Sequence, residues 1–238
     1  MRRGVFFRGR SESIESLTAL DRDAHASSAM SDDVVDVDDL DRRVTQLFLL
    51  VADGLAGAIA TLLNDDRVTA RELMSADRNL DILSEDVERL AERALLGREY
   101  RDDEQARHLL LVIQIVPEIE RSGDLVQHIA ARASQGVGNA LSAPARLLVE
   151  QMGEIGVTMW RSAAQAYAAR DRTAAVGLRL VDDELDDLHV RLTQAMGAAT
   201  MSVAAAIQLG LVARFLERMG DHAVNITRRF EDARVPAS

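Results

Sequence analysis

The chain has 238 residues, 47% of them apolar, which is enough to build a substantial core and excludes disorder of the whole chain. Acidic residues outnumber basic ones 39 to 28, and the resulting net charge of −11 is opposite in sign to a phosphate-neutralising surface, so nucleic acid is not an expected partner. Cysteine is absent and all 28 basic residues are arginine, which removes disulfides, thiolate zinc, iron–sulfur clusters, thiol catalysis and lysine Schiff-base or P-loop chemistry. Any metal must be held by carboxylates or by the five histidines.

Only 3% of the residues are aromatic and three are proline, while Ala, Leu, Arg, Asp and Glu dominate, a composition that predicts an all-α protein. Residues 1–38 read as a mobile N-terminal extension: a short basic start, a short helix over 12–23, and a polar, acidic run over 27–39. Met30 is an alternative start. The basic start has the charge of a signal n-region but no apolar segment follows it, so a cytoplasmic location is expected. The apolar run 44–63 carries Thr45, Gln46 and Asp53 at helical period, which predicts a core helix and no membrane span.

Beyond the extension, helical periodicity is broken by turn signals at Asn64-Asp65-Asp66, 97–103, 135–142, Arg170-Asp171 and near Gly197. Six long helices result, three in 39–135 and three in 143–233. The two sets are copies. Asp77-x-x-Leu80-Asp81-x-Leu83 recurs as Asp182-x-x-Leu185-Asp186-x-Leu188, 105 residues on. Glu120-Arg121-x-Gly123-Asp124 with Ile129 recurs as Glu217-Arg218-x-Gly220-Asp221 with Ile226, 97 residues on. The offsets differ by an indel in the loop between the second and third helices of each set, where indels are tolerated.

On the second helix Leu73, Ala76, Leu80, Leu83, Val87, Leu90 and Ala94 alternate at three and four spacing, and Leu178, Val181, Leu185, Leu188, Leu192 and Ala195 repeat this seam on the fifth. The acidic pairs Asp77 and Asp81, and Asp182 and Asp186, each follow seam residues directly, so they flank the core without entering it. Glu120 and Asp124, and Glu217 and Asp221, follow the same rule on the third and sixth helices. Each pair is spaced i, i+4, which puts two like charges on one helix face, where they repel unless a cation joins them. Four such pairs in repeated register point to metal binding by hard oxygen donors: Fe, Mn, Mg or Ca, with zinc also admissible. A single pair would read as a solvated acidic face with Arg121 or Arg218 as counter-ion. His128 extends the row Glu120, Asp124, and its repeat-mate Asn225 extends the other; both are candidate ligands or hydrogen-bonding caps. His189, three residues after Asp186, and His222, beside Asp221, read as ordinary surface or supporting histidines. His25 and His108 carry no signal, and Met152, Met159 and Trp160 read as core or dimer-face packing.

The run Phe215-Leu216-Glu217-Arg218-Met219-Gly220-Asp221-His222-Ala223-Val224-Asn225-Ile226 closely resembles the signature of the PhoU family of phosphate-signalling regulators. Residues 119–129 resemble the same signature, and Asp77 to Asp81 and Asp182 to Asp186 resemble its companion acidic motif. The resemblance spans roughly residues 39 to 233. It implies two three-helix bundles related by a pseudo-twofold, with multinuclear iron or zinc clusters on the bundle surface as in some members of the family. The first cluster would use Asp77, Asp81, Glu120 and Asp124, and the second Asp182, Asp186, Glu217 and Asp221. It further implies a non-catalytic, homodimeric adaptor that represses the phosphate-starvation response by contacting a sensor histidine kinase and the ATPase of a phosphate ABC transporter, at the membrane without spanning it. Three features depart from the family pattern: His128 in place of Asn, the loop 98–103, and the N-terminal extension.

Two other functions fit an acidic helical bundle. A carboxylate-bridged di-iron oxidase or ferroxidase would use Glu-x-x-His motifs in the bundle core, and here Asp186-x-x-His189 alone comes near. A PhoU-like regulator of a different transporter would share every motif above.

Overall fold

The computed structural model describes residues 35–76, 78–198 and 201–232. The chain divides into a unit of residues 1–35 and a unit of residues 36–238; the helix expected over 12–23, with His25, lies outside the described residues. The described residues of the second unit form helices in the order α1 (Val37–Asn64), α2 (Arg67–Ala76), α3 (Arg78–Gly97), α4 (Asp103–Ser134), a short 3₁₀ turn (Val137–Ala140), α5 (Ala143–Ala168), α6 (Ala174–Ala198) and α7 (Val203–Asp232). The segments α2 and α3 stand where one second helix was expected, on either side of Asp77, which lies outside the described residues.

The helix ends follow from local chemistry. Asp36 caps α1 by accepting from the Asp39 N–H, Asp102 caps α4 by accepting from the Gln105 N–H, and Ser142 caps α5 with Pro144 in its first turn. At the far ends of α1 and α5, Asp65 and Arg170 both adopt a left-handed backbone with φ of 52°. They stand 105 residues apart, so the repeat extends to its turns. Within α4, Pro117 removes one ladder hydrogen bond at a cost of about 3 kcal/mol, yet the helix runs on because Val112, Ile115, Val116 and Ile119 around it are fully buried.

Helices α1 to α4 form one antiparallel bundle and α5 to α7 the other, and the two join through α1 against α5 and α4 against α7. The outer helices α2, α3 and α6 cover the flanks, which places their acidic residues beside α4 and α7. The joint is apolar: Phe48 of α1 packs against Trp160 and Tyr167 of α5 at ring separations of 5.9 and 5.8 Å, and the Tyr167 ring reaches Phe230 of α7. Gly153 allows α1 and α5 to approach closely, since a Cβ there would come within 2.8 Å of Ile59. Met152, Met159 and Trp160 are fully buried core residues, with the Trp160 indole N–H donating to the Met219 carbonyl at 3.0 Å. Helix α1 is long and apolar enough to cross a membrane by composition, with a mean hydropathy of 1.8 over its best window. Its stripe Leu40, Val44, Leu47, Phe48, Val51 and Leu55 is buried against its neighbours, as a core helix requires.

Candidate metal centres on the two acidic rows

Packing of α3 against α4, and of α6 against α7, brings Asp81 near Glu120 and Asp124, and Asp182 and Asp186 near Glu217 and Asp221. On α6 the seam residues Leu185, Leu188 and Leu192 are buried, so Asp182 and Asp186 are carried to its edge, facing α7. On α7, burial of Leu216, Met219 and Ala223 does the same for Glu217 and Asp221. The two rows close tightly because Gly220 has no side chain: a Cβ there would meet the Asp182 carboxylate and come within 2.6 Å of Leu185 Cδ2.

The electrostatics of this second cluster are those of mutually repelling carboxylates that nearby cations only partly compensate. Asp182 is half-buried, and burial together with the charges of Asp221, Asp186, Asp183 and Glu217 pushes its carboxyl up to about 6. Burial and Asp221 also raise Asp186 and Glu217, against opposing pulls from His189 on both and from Arg214, which ion-pairs with Glu217. His189 therefore lies within electrostatic reach of the cluster.

In the first cluster, burial and then Asp81, Asp124 and Glu85 raise the Glu120 carboxyl, and Arg121 only partly offsets them. Glu88 is raised by burial and by Glu120. Glu85 and Glu88 continue the Asp81 row at helical spacing and were not picked out from the sequence, although the same periodicity that exposed Asp81 reaches them. Asp77 lies outside the described residues. The two clusters differ: Glu120 and Asp124 are exposed, whereas Glu217 and Asp221 are partly covered.

The residues flanking the rows have other partners. His128 is exposed and its ring lies tilted at 31° against Phe215 of α7, with ring centroids 5.4 Å apart, beside Arg132, whose guanidinium lies 4.8 Å over the same ring. It therefore joins the contact between the halves. Asn225 is exposed on α7. His222 points into the α4–α7 joint, buried: Ser122 donates to the Glu118 carbonyl and its Oγ lies 2.8 Å from His222 Nδ1, with Glu118 Oε1 at 3.7 Å from Nε2.

The donor set of the two rows suits a hard cation, being all carboxylate oxygen with nearby imidazole and no thiolate. Among the described residues no three such side chains converge on one point, so binding requires carboxylate rotamers to change, which their edge positions permit.

The family model described as PhoU domain matches residues 44–133 and 149–230, one in each half. The chain belongs to the PhoU family. It is 30% identical over 194 residues to the phosphate-specific transport system accessory protein PhoU homolog 2 of Mycobacterium tuberculosis, covering 80% of this chain and 91% of that protein. The PhoU homolog of Caulobacter vibrioides is 30% identical over 193 residues, covering 79% and 83%. The crystal structure of PhoU from Pseudomonas aeruginosa superposes with a TM-score of 0.75 at 21% identity, covering 83% of this chain and 96% of that one. That of the phosphate transport system regulatory protein PhoU from Streptococcus pneumoniae gives 0.74 at 21%, covering 82% and 93%. The tandem helical repeat of this chain is thus the fold of the PhoU family.

Proposed function

We propose that this chain is a non-catalytic accessory regulator of phosphate transport, and that it represses phosphate-starvation signalling as an adaptor between the ATPase of a phosphate ABC transporter and a sensor histidine kinase. The observation that carries this reading is the duplicated acidic signature, held at the same edge of both halves of a PhoU fold. The similar proteins bear the words phosphate-specific transport system accessory protein, which supports the transport link. A cytoplasmic, homodimeric protein at the membrane surface completes the proposal.

The two rows are proposed to hold metal ions, iron or zinc first. Asp182, Asp186, Glu217 and Asp221 would hold the second ion set, and Asp81, Glu120 and Asp124, with Asp77, the first. A bound cation would supply positive charge that relieves carboxylate repulsion and fixes α6 to α7 and α3 to α4. The residues themselves set the surface shape: Gly220 admits Asp182, and Arg214 orients Glu217. His128, engaged with Phe215, and Asn225 would support the rows by hydrogen bonding.

The test is a phosphate-starvation reporter in a deletion strain grown in ample phosphate. Derepression, reversed by the intact gene and not by one carrying Asp124→Ala with Asp221→Ala, is the expected outcome; reporter activity equal to the parent's would overturn the phosphate role. Elemental analysis of the untagged protein finding no stoichiometric metal, with no melting-temperature rise on adding metal, would overturn the metal assignment separately.

A further inference from the structure

The end of the bundle where α1, α4 and α5 meet carries a second polar constellation, which shares no residue with the acidic rows. Asp41 of α1 accepts from the Tyr167 hydroxyl at 2.5 Å and from His108 Nε2 at 2.6 Å through one oxygen, and from Arg170 at 3.3 Å through the other. Both donors are nearly enclosed: Tyr167 is 4% exposed and the His108 side chain 10%. With three donors on it, the Asp41 charge is spent inward.

Beside this network lies a pocket of about 50 Å³, whose lining includes Leu111, Phe230, Glu104, Arg107, Arg170 and Arg172. It borders a wider recess of about 280 Å³ that shares Glu104, His108 and Arg170. Arg107 and Arg172 hold no side-chain hydrogen bond among the described residues; their nearest carboxylates, Asp103 and Glu104, stand at 3.9 and 4.0 Å. Each planar guanidinium is thus held in a loose ion pair that uses none of its N–H donors in a hydrogen bond, in a chain whose net charge is −11. A space of this volume is well above the roughly 10–15 Å³ needed to admit one water, so a small polar ligand can enter it.

We infer that this pocket is an anion site that takes a phosphate group, either free orthophosphate or the phosphoryl group of a larger molecule whose body occupies the adjoining recess. Arg107 and Arg172 supply paired N–H donors from α4 and from the turn after α5, and Arg170, oriented by Asp41, supplies the third charge. Tyr167 and His108 are positioning residues that hold Asp41, and through it Arg170. Glu104 opposes the ligand and tunes its affinity. None of these residues belongs to the acidic rows, so this inference and the metal assignment fail independently.

The test is calorimetric titration of the full chain with sodium phosphate and, separately, with phenyl phosphate, at constant ionic strength and with chloride as the control anion. Binding that weakens roughly tenfold or more in the Arg107→Gln, Arg172→Gln double variant, and tightens in Glu104→Gln, is expected. Orthophosphate binding assigns the free anion, and binding of phenyl phosphate alone assigns a phosphoryl group on an organic body. Absence of binding by either probe, or binding indifferent to the substitutions in a protein with unchanged circular dichroism, would overturn the site. Glu104→Gln removes the carboxylate that opposes the ligand and pairs loosely with Arg172, both of which favour tighter binding, so its result stands even if the double variant folds poorly.

Discussion

Gly220 of α7 and Asp182 of α6 occupy one space: the carboxylate sits where a glycine side chain would begin, with Leu185 Cδ2 filling what remains. The acidic row of one helix is thereby seated on the backbone of the next. Gly220→Ala therefore forces Asp182 outward or the helices apart, an overpacking cost of about 1–3 kcal/mol. Gly177, on the same outer helix with nothing within 4 Å of its Cβ position, is the control. Gly177→Ala should raise stability by up to about 1 kcal/mol through helix propensity alone. Thermal melts of both variants check the pair; equal effects would show that the α6–α7 contact is looser than described.

The raised Asp182 carboxyl makes a signed prediction about pH. Its folded value of about 6 lies above the unfolded value of 3.8, so the folded state binds the proton more tightly. Its contribution is fully present below 3.8 and is lost as pH rises through about 6. After allowance for solvent screening the loss is about 1 kcal/mol. In chelator at pH 8, Asp182→Asn should accordingly melt about 2–4 °C higher than the parent, while losing the metal-dependent rise in melting temperature expected of the proposed site. A variant that melts lower in chelator would show that carboxylate repulsion does not govern this edge.

Tyr167 binds Asp41 across the two halves, and its removal tests that link. Burial pushes the Asp41 carboxyl up, but the hydrogen bonds from His108 and Tyr167, with the Arg170 charge, outweigh it and the net shift is downward. Tyr167→Phe keeps the ring packing on Phe48 and Phe230 and deletes only the hydroxyl. The expected loss is about 1–2 kcal/mol in urea unfolding at pH 7. The gap should narrow as pH falls, because a carboxyl lowered in the folded state contributes stability above its unfolded value and loses it on acidification. A loss that does not vary with pH would mean that the hydroxyl acts by packing.

How much of this was legible in the sequence depends on how local the signal was. The acidic rows were legible because Asp182 and Asp186 share a period with Leu185 and Leu188, and burial of those leucines sets the carboxylates at the edge. The row's continuation through Glu85 and Glu88 was equally periodic, but unlike Asp81 these residues have no acidic repeat-mates to mark them. The Asp41 constellation was not legible. His108 and Tyr167 lie 67 and 126 residues from Asp41, and nothing in their own neighbourhoods marks them as polar partners of a shared carboxylate. His222 shows the same limit: its neighbour Asp221 suggests an exposed supporting role, whereas helix phase turns the imidazole inward onto Ser122. Phase alone predicts burial, but only packing of α4 on α7 supplies the partner.

That partner is the substance of the last prediction. Ser122 is fully buried and donates to the Glu118 carbonyl, which leaves its Oγ lone pair for the His222 Nδ1 proton at 2.8 Å. Ser122→Ala removes the acceptor and leaves a buried imidazole N–H unpaired, at a cost of about 1–3 kcal/mol. Since Ser122 belongs to the first half and His222 to the second, the loss weakens the joint between them. The combined variant Ser122→Ala, His222→Leu replaces both polar groups with apolar ones of fitting size and should recover much of the lost stability, because an unpaired polar atom costs more than the bond contributes. Urea unfolding of the two single variants and the double variant measures this coupling directly. Additive losses would show that the two side chains do not act as a pair.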